Sequence, residues 1–247
     1  MRTILIGIDD TDNPTSPGTG RLARNLSAEL AKRGMKPSSV TRHQFLLDKA
    51  IPYTSHNSGA CISVESTNGI ELVHFAFDFI ASASAAGSDP GVCIAFCDDV
   101  AKEVSDFGRA AQKEILTIEQ SFELAHGSGL KLRGLGGNCL GVIGALASVG
   151  LRAQGNDGRF IDMPGLRDLP RHVNARTYDK IGITVEHRTN FRQPKPTDVY
   201  DTLGWVRPRL INGKPVLIVQ WSEKENAWIP LDCKKSKTSH HSPKPSV

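Results

Sequence analysis

The chain has 247 residues, 39% of them hydrophobic, and a formal net charge of +4 at neutral pH. That length and apolar content suit one large core or a core with an appendage, which excludes a wholly disordered chain. No apolar run approaches the roughly 18 residues of a membrane span and no signal-peptide core is visible, so a cytoplasmic protein with no membrane association is expected.

Most of the excess charge is local. Four of the 30 basic residues, Lys234, Lys235, Lys237 and Lys244, fall within 234–247, which holds no acid, so the preceding residues carry as many cations as the 26 anions. A body that balances to zero predicts weak intrinsic nucleic-acid binding, because a broad cationic face supplies most of the affinity for a phosphate backbone. The cysteines, Cys61, Cys93, Cys97, Cys139 and Cys233, are odd in number and form no Cys-x-x-Cys pair. Neither a disulfide framework nor a zinc ribbon is indicated.

In chain order, Arg2 to Ile8 reads as a buried strand that ends abruptly in Asp9-Asp10-Thr11-Asp12. After Pro17 and Gly18, Thr19 can cap a helix in which Leu22, Leu26 and Leu30 recur, with Gly34 placed to close it. Acids packed this closely repel one another unless a cation lies between them. Magnesium suits such a site because it takes one or two carboxylates and fills its remaining positions with water and substrate phosphates. The helix N-terminus alongside offers amide donors to an anion.

Ser38 to Leu46 and Ala60 to Glu65 read as further strands, separated by a polar loop around Pro52. A helix is predicted from Asn68-Gly69 to about Ala83, with Ile70, Val73, Phe77 and Ile80 on one face, then a strand over Val92 to Phe96. His74 reads as a packed or surface side chain, and Cys93 and Cys97 as structural thiols. Asp98 to His126 is helical in two or three pieces. Gly127 to Gly137 is glycine-rich and carries Lys131 and Arg133, and a helix follows from about Cys139 to Val149. Gly134-Leu135-Gly136-Gly137 reads equally as a phosphate cradle or a flexible connector, and it lacks the Lys-Ser/Thr ending of a Walker A loop. Leu151 to Gln154 with Arg159 to Met163, and Trp205 to Ile211 with Pro215 to Trp221, read as two hairpins. The second is turned by Asn212-Gly213. The expected fold is α/β (α+β): a mixed β-sheet with flanking helices in residues 1–150, a small hairpin-rich appendage over 151–233, and a disordered basic tail over 234–247.

The opening Gly7-Ile8-Asp9-Asp10-Thr11-Asp12 with Thr19, followed by Ile51-Pro52-Tyr53, Gly59-Ala60, Asp89-Pro90-Gly91 and Gly141 to Gly150, resembles the archaeal agmatidine synthetases. Those enzymes modify the wobble cytidine of an isoleucine tRNA. The resemblance covers roughly residues 1–150 and implies a kinase-like domain that uses ATP and magnesium. By resemblance Asp9, Asp10, Asp12 and Thr19 belong to the active site. Asp10 and Asp12 would hold the metal on one side of an extended segment. Asp9, on the other side, would join them or orient a nucleophile. Gly18 and Thr19, with Gly134, Gly136, Lys131 and Arg133, would meet the nucleotide phosphates. Two stretches depart from the family pattern, Thr54-Ser55-His56 and Gly137-Asn138-Cys139-Leu140, where basic residues are usual. Lys49, Lys131, Arg133 and His56 are the nearby replacements. The family's oligonucleotide-binding barrel and zinc ribbon have no counterpart here. The expected activity is therefore an ATP-dependent phosphotransferase or conjugating enzyme acting on an RNA or small-molecule phosphate acceptor, with tRNA recognition left to a partner protein. An enzyme of a small metabolite and a non-catalytic nucleotide-binding module stay open as alternatives.

Overall fold

The computed structural model describes residues 2–54, 56–66, 69–188 and 192–231. The expected disordered tail and Cys233 lie outside the described residues.

The first strand, β1 (Arg2–Asp9), is the centre of the N-terminal half. It is followed by α1 (Thr19–Lys32), β2 (Lys36–Gln44), β3 (Ser58–Ser66), α2 (Gly69–Ala83) and β4 (Gly91–Phe96). The strands lie in the order β4-β1-β3-β2 with every neighbouring pair antiparallel. Each helix therefore joins two parallel strands with a third between them, the split βαβ arrangement of ferredoxin-like folds.

Alternation along β1 sorts the core into two layers. Ile4, Ile6 and Ile8 pack with Leu22, Leu26 and Leu30 of α1 and with Leu72, Phe77 and Ile80 of α2. Leu5 faces the opposite layer, built from α3 (Lys102–Ala110), α4 (Ile118–Gly127) and α5 (Gly141–Gln154). Between α4 and α5 runs β5 (Lys131–Gly134), an edge strand paired antiparallel with β4, so the glycine-rich stretch is partly a strand.

The fifth helix crosses β1 at very short range. A β-carbon on Gly7 would overlap the Ala145 carbonyl oxygen and lie 2.9 Å from a Val149 methyl. Glycine on the strand and small residues on the helix are what permit this approach.

From α5 the chain enters β6 (Arg159–Asp162), then β7 (His172–Val173), α6 (Ala175–Lys180), β8 (Thr184–Arg188), β9 (Tyr200–Asp201), β10 (Arg209–Ile211), β11 (Lys214–Ser222) and β12 (Ala227–Pro230). Strand β6 pairs antiparallel with both β2 and β10, so the sheet continues as β2-β6-β10-β11-β12-β9-β7, with β8 parallel to β11. A separate apolar cluster around Trp228, Tyr178 and Tyr200 supports this half. The mixed sheet with flanking helices is the fold expected from the sequence.

One of the two expected hairpins does not form. Leu151 to Gln154 is the last turn of α5, with Leu151 fully buried, and Gly155 at φ 80° ends the helix in the left-handed conformation. The Gly-Asn-Asp-Gly turn hands the chain from that helix to β6, whose partners lie elsewhere. The Asn212-Gly213 hairpin is present between β10 and β11, with both turn residues at positive φ as a type I′ turn demands.

The contact between β1 and α5 predicts an asymmetry between two glycines. Gly7→Ala should destabilise the protein by about 1–3 kcal/mol, the usual cost of overpacking. Gly127→Ala, with open space around the new methyl, should leave the denaturant midpoint unchanged or slightly raised.

Candidate functional site

Strand β1 carries Asp9 to the mouth of a cleft whose walls include Phe45, Ile51, Tyr53, Ile115 and Ile143. Asp9 lies on the α5 side of the sheet, in step with Leu5 and Gly7. A β-carbon on Gly144 would overlap its carboxylate, so the fifth helix encloses this acid even though part of the residue reaches the cleft. Burial is the main force that raises the Asp9 carboxyl to about 7. A backbone hydrogen bond at Asp10 offsets part of the shift, and the charges of Asp10 and Asp12 add to it.

The segment after Asp9 is not extended. Asp10 has φ 51°, a left-handed conformation uncommon outside glycine, asparagine and aspartate, so simple alternation does not decide which way the next acids point. The Asp10 carboxyl rises to about 6, first through burial and then through the charges of Asp89 and Asp12. Asp89 was not singled out as a site residue by the sequence, although its Asp-Pro-Gly block was. Its carboxylate accepts a hydrogen bond from the Asn138 amide at 2.8 Å, and its own carbonyl accepts one from Gly141 at 2.9 Å.

Asp12 ties the loop to α1. One of its oxygens accepts from the Thr19 hydroxyl at 2.7 Å and the Thr19 amide at 3.3 Å, while the other accepts from the Thr54 hydroxyl at 2.8 Å. A carboxylate offers about four lone-pair sites, which leaves Asp12 one for an outside ligand. Thr19 is itself 6% exposed, and its hydroxyl also accepts from the Thr11 hydroxyl and amide. Its structural task is thus to hold the acidic turn against the helix start.

Among the described residues no three His, Cys, Asp or Glu side chains converge to cage a metal on their own. The donor set fits magnesium in the way that ion is ordinarily held, by one or two carboxylates with the remaining positions left to water and phosphate oxygens. Asp10 and the unused lone pair of Asp12 are the available ligands. The upward shifts of Asp9 and Asp10 come first from burial, and the neighbouring carboxylates add a smaller part that a divalent cation would relieve.

The other residues expected at this site are placed elsewhere. Lys131 and Arg133 line a separate groove beside α2 and β5, where the Arg133 guanidinium lies 4.6 Å from the centre of the Phe77 ring. Gly134 ends β5, paired with Gly91, and Gly136 packs near Pro90. The Asn138 amide that follows this glycine run is already given to Asp89. Gly18 opens α1 at a second groove, lined by Arg21, Arg24, Arg42, Trp205 and Arg207, that adjoins the acidic cleft at Asp12, Thr19, Thr54 and His56. Sequence reading missed this basic groove because its arginines are scattered along the chain and cancel in the net charge. Asp157 accepts from Gln112 at 2.9 Å and pairs with buried His43 at the same distance, a link from β2 to the turn after α5.

In metal-free solution the acidic cleft should set a pH dependence of stability. A carboxyl raised in the folded state binds its proton more tightly there than in the unfolded chain, whose ordinary value is 3.8. The stabilisation is fully present near and below that value and is lost as pH rises through about 6 to 7. Asp9→Asn should therefore flatten the melting profile between pH 4 and 8 in EDTA and melt above the parent at pH 8; a parallel profile would contradict the shift. Substitutions at Asp10 and Asp12 should differ in sign. Asp10→Asn relieves repulsion and should raise the metal-free melting temperature at pH 8, whereas Asp12→Ala removes a helix cap and should cost about 1 kcal/mol in denaturant unfolding.

No protein-family model matches the chain, and no curated protein does so at significant similarity. Among solved structures, the apo form of TiaS, an agmatidine synthetase for an isoleucine tRNA, superposes with a TM-score of 0.51 at 24% identity, over 60% of this chain and 35% of TiaS. A TiaS complex with its tRNA and ATP gives 0.53 at 25% identity, over 61% and 36% of the two chains. A tRNA fluorescent labelling enzyme gives 0.52 at 25% identity, over 60% and 36%. The chain thus matches about a third of the length of these structures, and part of it has their fold.

Proposed function

We propose that this chain is an ATP-using group-transfer enzyme whose chemistry takes place at the cleft holding Asp9, Asp10 and Asp12. The observation that carries this reading is that Asp9, Asp10 and Asp12, at the end of β1, all line one cleft with apolar walls, two of them with raised carboxyls. Support comes from the similarity in fold to TiaS, one of whose solved complexes contains ATP and tRNA. Phe45, Ile51, Ile115 and Ile143 supply an apolar surface suited to a purine ring.

Asp10 and Asp12 would hold magnesium, which when bound neutralises charge on phosphate oxygens. Asp12 keeps its orientation through Thr19 and Thr54. Asp9, enclosed by α5 at the end of β1, would accept a proton from the attacking group of an acceptor. The acceptor is a nucleophile on RNA or on a small molecule.

ATP with magnesium should raise the melting temperature. A ligand at 100 times its dissociation constant adds about 2.7 kcal/mol, and each kcal/mol is worth roughly 2–4 °C in a chain of this size, so a rise of about 5–10 °C is expected. Asp10→Asn should abolish the magnesium-dependent part. The absence of any shift with ATP, with or without magnesium, would refute the reading.

A further inference from the structure

We infer that the groove between the start of α1 and the loop before β10 captures phosphate oxyanions, and that the acceptor brought to the acidic cleft is therefore itself a phosphate ester. Arg21 and Arg24 come from α1, Arg42 from β2, and Arg207 from the approach to β10. Among the described residues none of these four side chains has a carboxylate in ion-pair contact. Elsewhere, in the C-terminal half of the sheet, arginines do find acids: Arg171 holds Asp201 at 3.1 Å and Arg192 holds Asp198 at 2.8 Å.

Arg42 and Arg207 have contacts that hold them in place without an ion-paired carboxylate. Arg42 donates its Nε to the Ser58 hydroxyl at 2.8 Å, which fixes the guanidinium while leaving its terminal nitrogens with no hydrogen-bond acceptor among the described residues. Trp205 has the Arg167 guanidinium 4.2 Å and the Arg207 guanidinium 5.4 Å from its ring centre. Its ring thus serves as a platform for cations. Arg167 also sits 3.9 Å from Asp162, which leaves Arg207 as the unneutralised cation on that side. Arg42 is destabilised as a cation by burial and then by Arg207, with Asp12 offsetting part of the effect, and Arg24 by burial and then by Arg167, with Asp162 offsetting part. Like charges gathered at such a density favour an anion that several guanidinium forks can share. Phosphate oxygens match that fork geometry.

Position ties the groove to chemistry. It shares Asp12, Thr19, Thr54, His56 and Ser58 with the acidic cleft, so a phosphate held by Arg42 and Arg207 sits next to the reacting end of the site. A magnesium-bound nucleotide fits the acidic side, and a second anion without metal fits the arginine side. Assignment of the groove to the acceptor rests on the proposed function of the acidic cleft; its capture of phosphate does not.

Calorimetry of the full chain in EDTA tests this, with inorganic pyrophosphate as the first probe. The parent should bind it, and Arg42→Gln and Arg207→Gln should each weaken binding about tenfold or more, as expected for loss of a charged hydrogen bond. Arg207 is exposed at the surface, so its variant should remain folded by circular dichroism even where Arg42→Gln is not. Asp10→Asn should bind pyrophosphate as well as the parent or better. A short single-stranded RNA and a nucleoside 5′-monophosphate then identify the source: an affinity that grows with strand length and falls steeply with salt marks a nucleic-acid acceptor. Competition by the monophosphate with no gain from chain length marks a small phosphorylated one. No binding of any of these probes by the parent, or binding untouched by Arg207→Gln, overturns the groove. A loss of the magnesium·ATP melting shift in Arg207→Gln equal to its loss of pyrophosphate would assign the groove to the nucleotide and overturn the acceptor. If ATP gives no shift while pyrophosphate binding survives, the function of the acidic cleft fails and phosphate capture stands.

Discussion

The arrangement depends on how closely α5 lies against β1. Gly7 admits the Ala145 carbonyl, and Gly144 admits the Asp9 carboxylate. Close-packed interiors tolerate little change of volume, so this spacing is fixed by the absence of side chains as much as by their presence. The same contact that builds the core therefore removes water from one side of Asp9 and raises its carboxyl. Packing and acid–base character have one cause here.

A second constraint is the hydrogen-bond web around Thr19. Its hydroxyl receives from Thr11 and gives to Asp12, while Thr54 reaches the same carboxylate from the loop before β3. Loop, helix start and strand connection are thereby joined at one buried threonine. Asp12 is at once a cap for α1 and part of the acidic set. Asp10 occupies the left-handed region and has a backbone hydrogen bond at Asp89 in place of the threonine contacts that hold Asp12.

Much of this was legible in the sequence because the signals were sharp. An apolar run that stops at three acids, and leucines repeating at helical spacing after Thr19, locate β1, the acidic turn and α1 to within a residue or two. Asn212-Gly213 specifies its hairpin because both residues tolerate positive φ. The end of α5 was misread because Gly155-Asn156-Asp157-Gly158 has the same turn chemistry whether a strand or a helix precedes it. Leu151-Arg-Ala-Gln, all good helix formers, held the contrary signal. Strands of two residues such as β7 and β9 have no periodicity to detect. Asp89 and the groove arginines were invisible as sites because their proximity is created by sheet order, which brings β4 beside β1 and the loop before β10 toward β2 and α1.

The two neighbouring clefts differ in sign, acids prevailing in one and arginines without an ion-paired carboxylate in the other, across a wall that includes Asp12, Thr19 and Thr54. Seen from afar such a pair is a dipole with little net charge, and at physiological ionic strength its field fades over a Debye length of about 8 Å. Long-range steering of a polyanion toward this face is therefore weak. Within contact distance the field reverses sign over the width of one loop. A rigid ligand carrying a metal at one end and a bare phosphate at the other feels a torque that aligns it, and its reversed orientation is repelled at both ends. The surface therefore selects the orientation of a ligand more strongly than it attracts one.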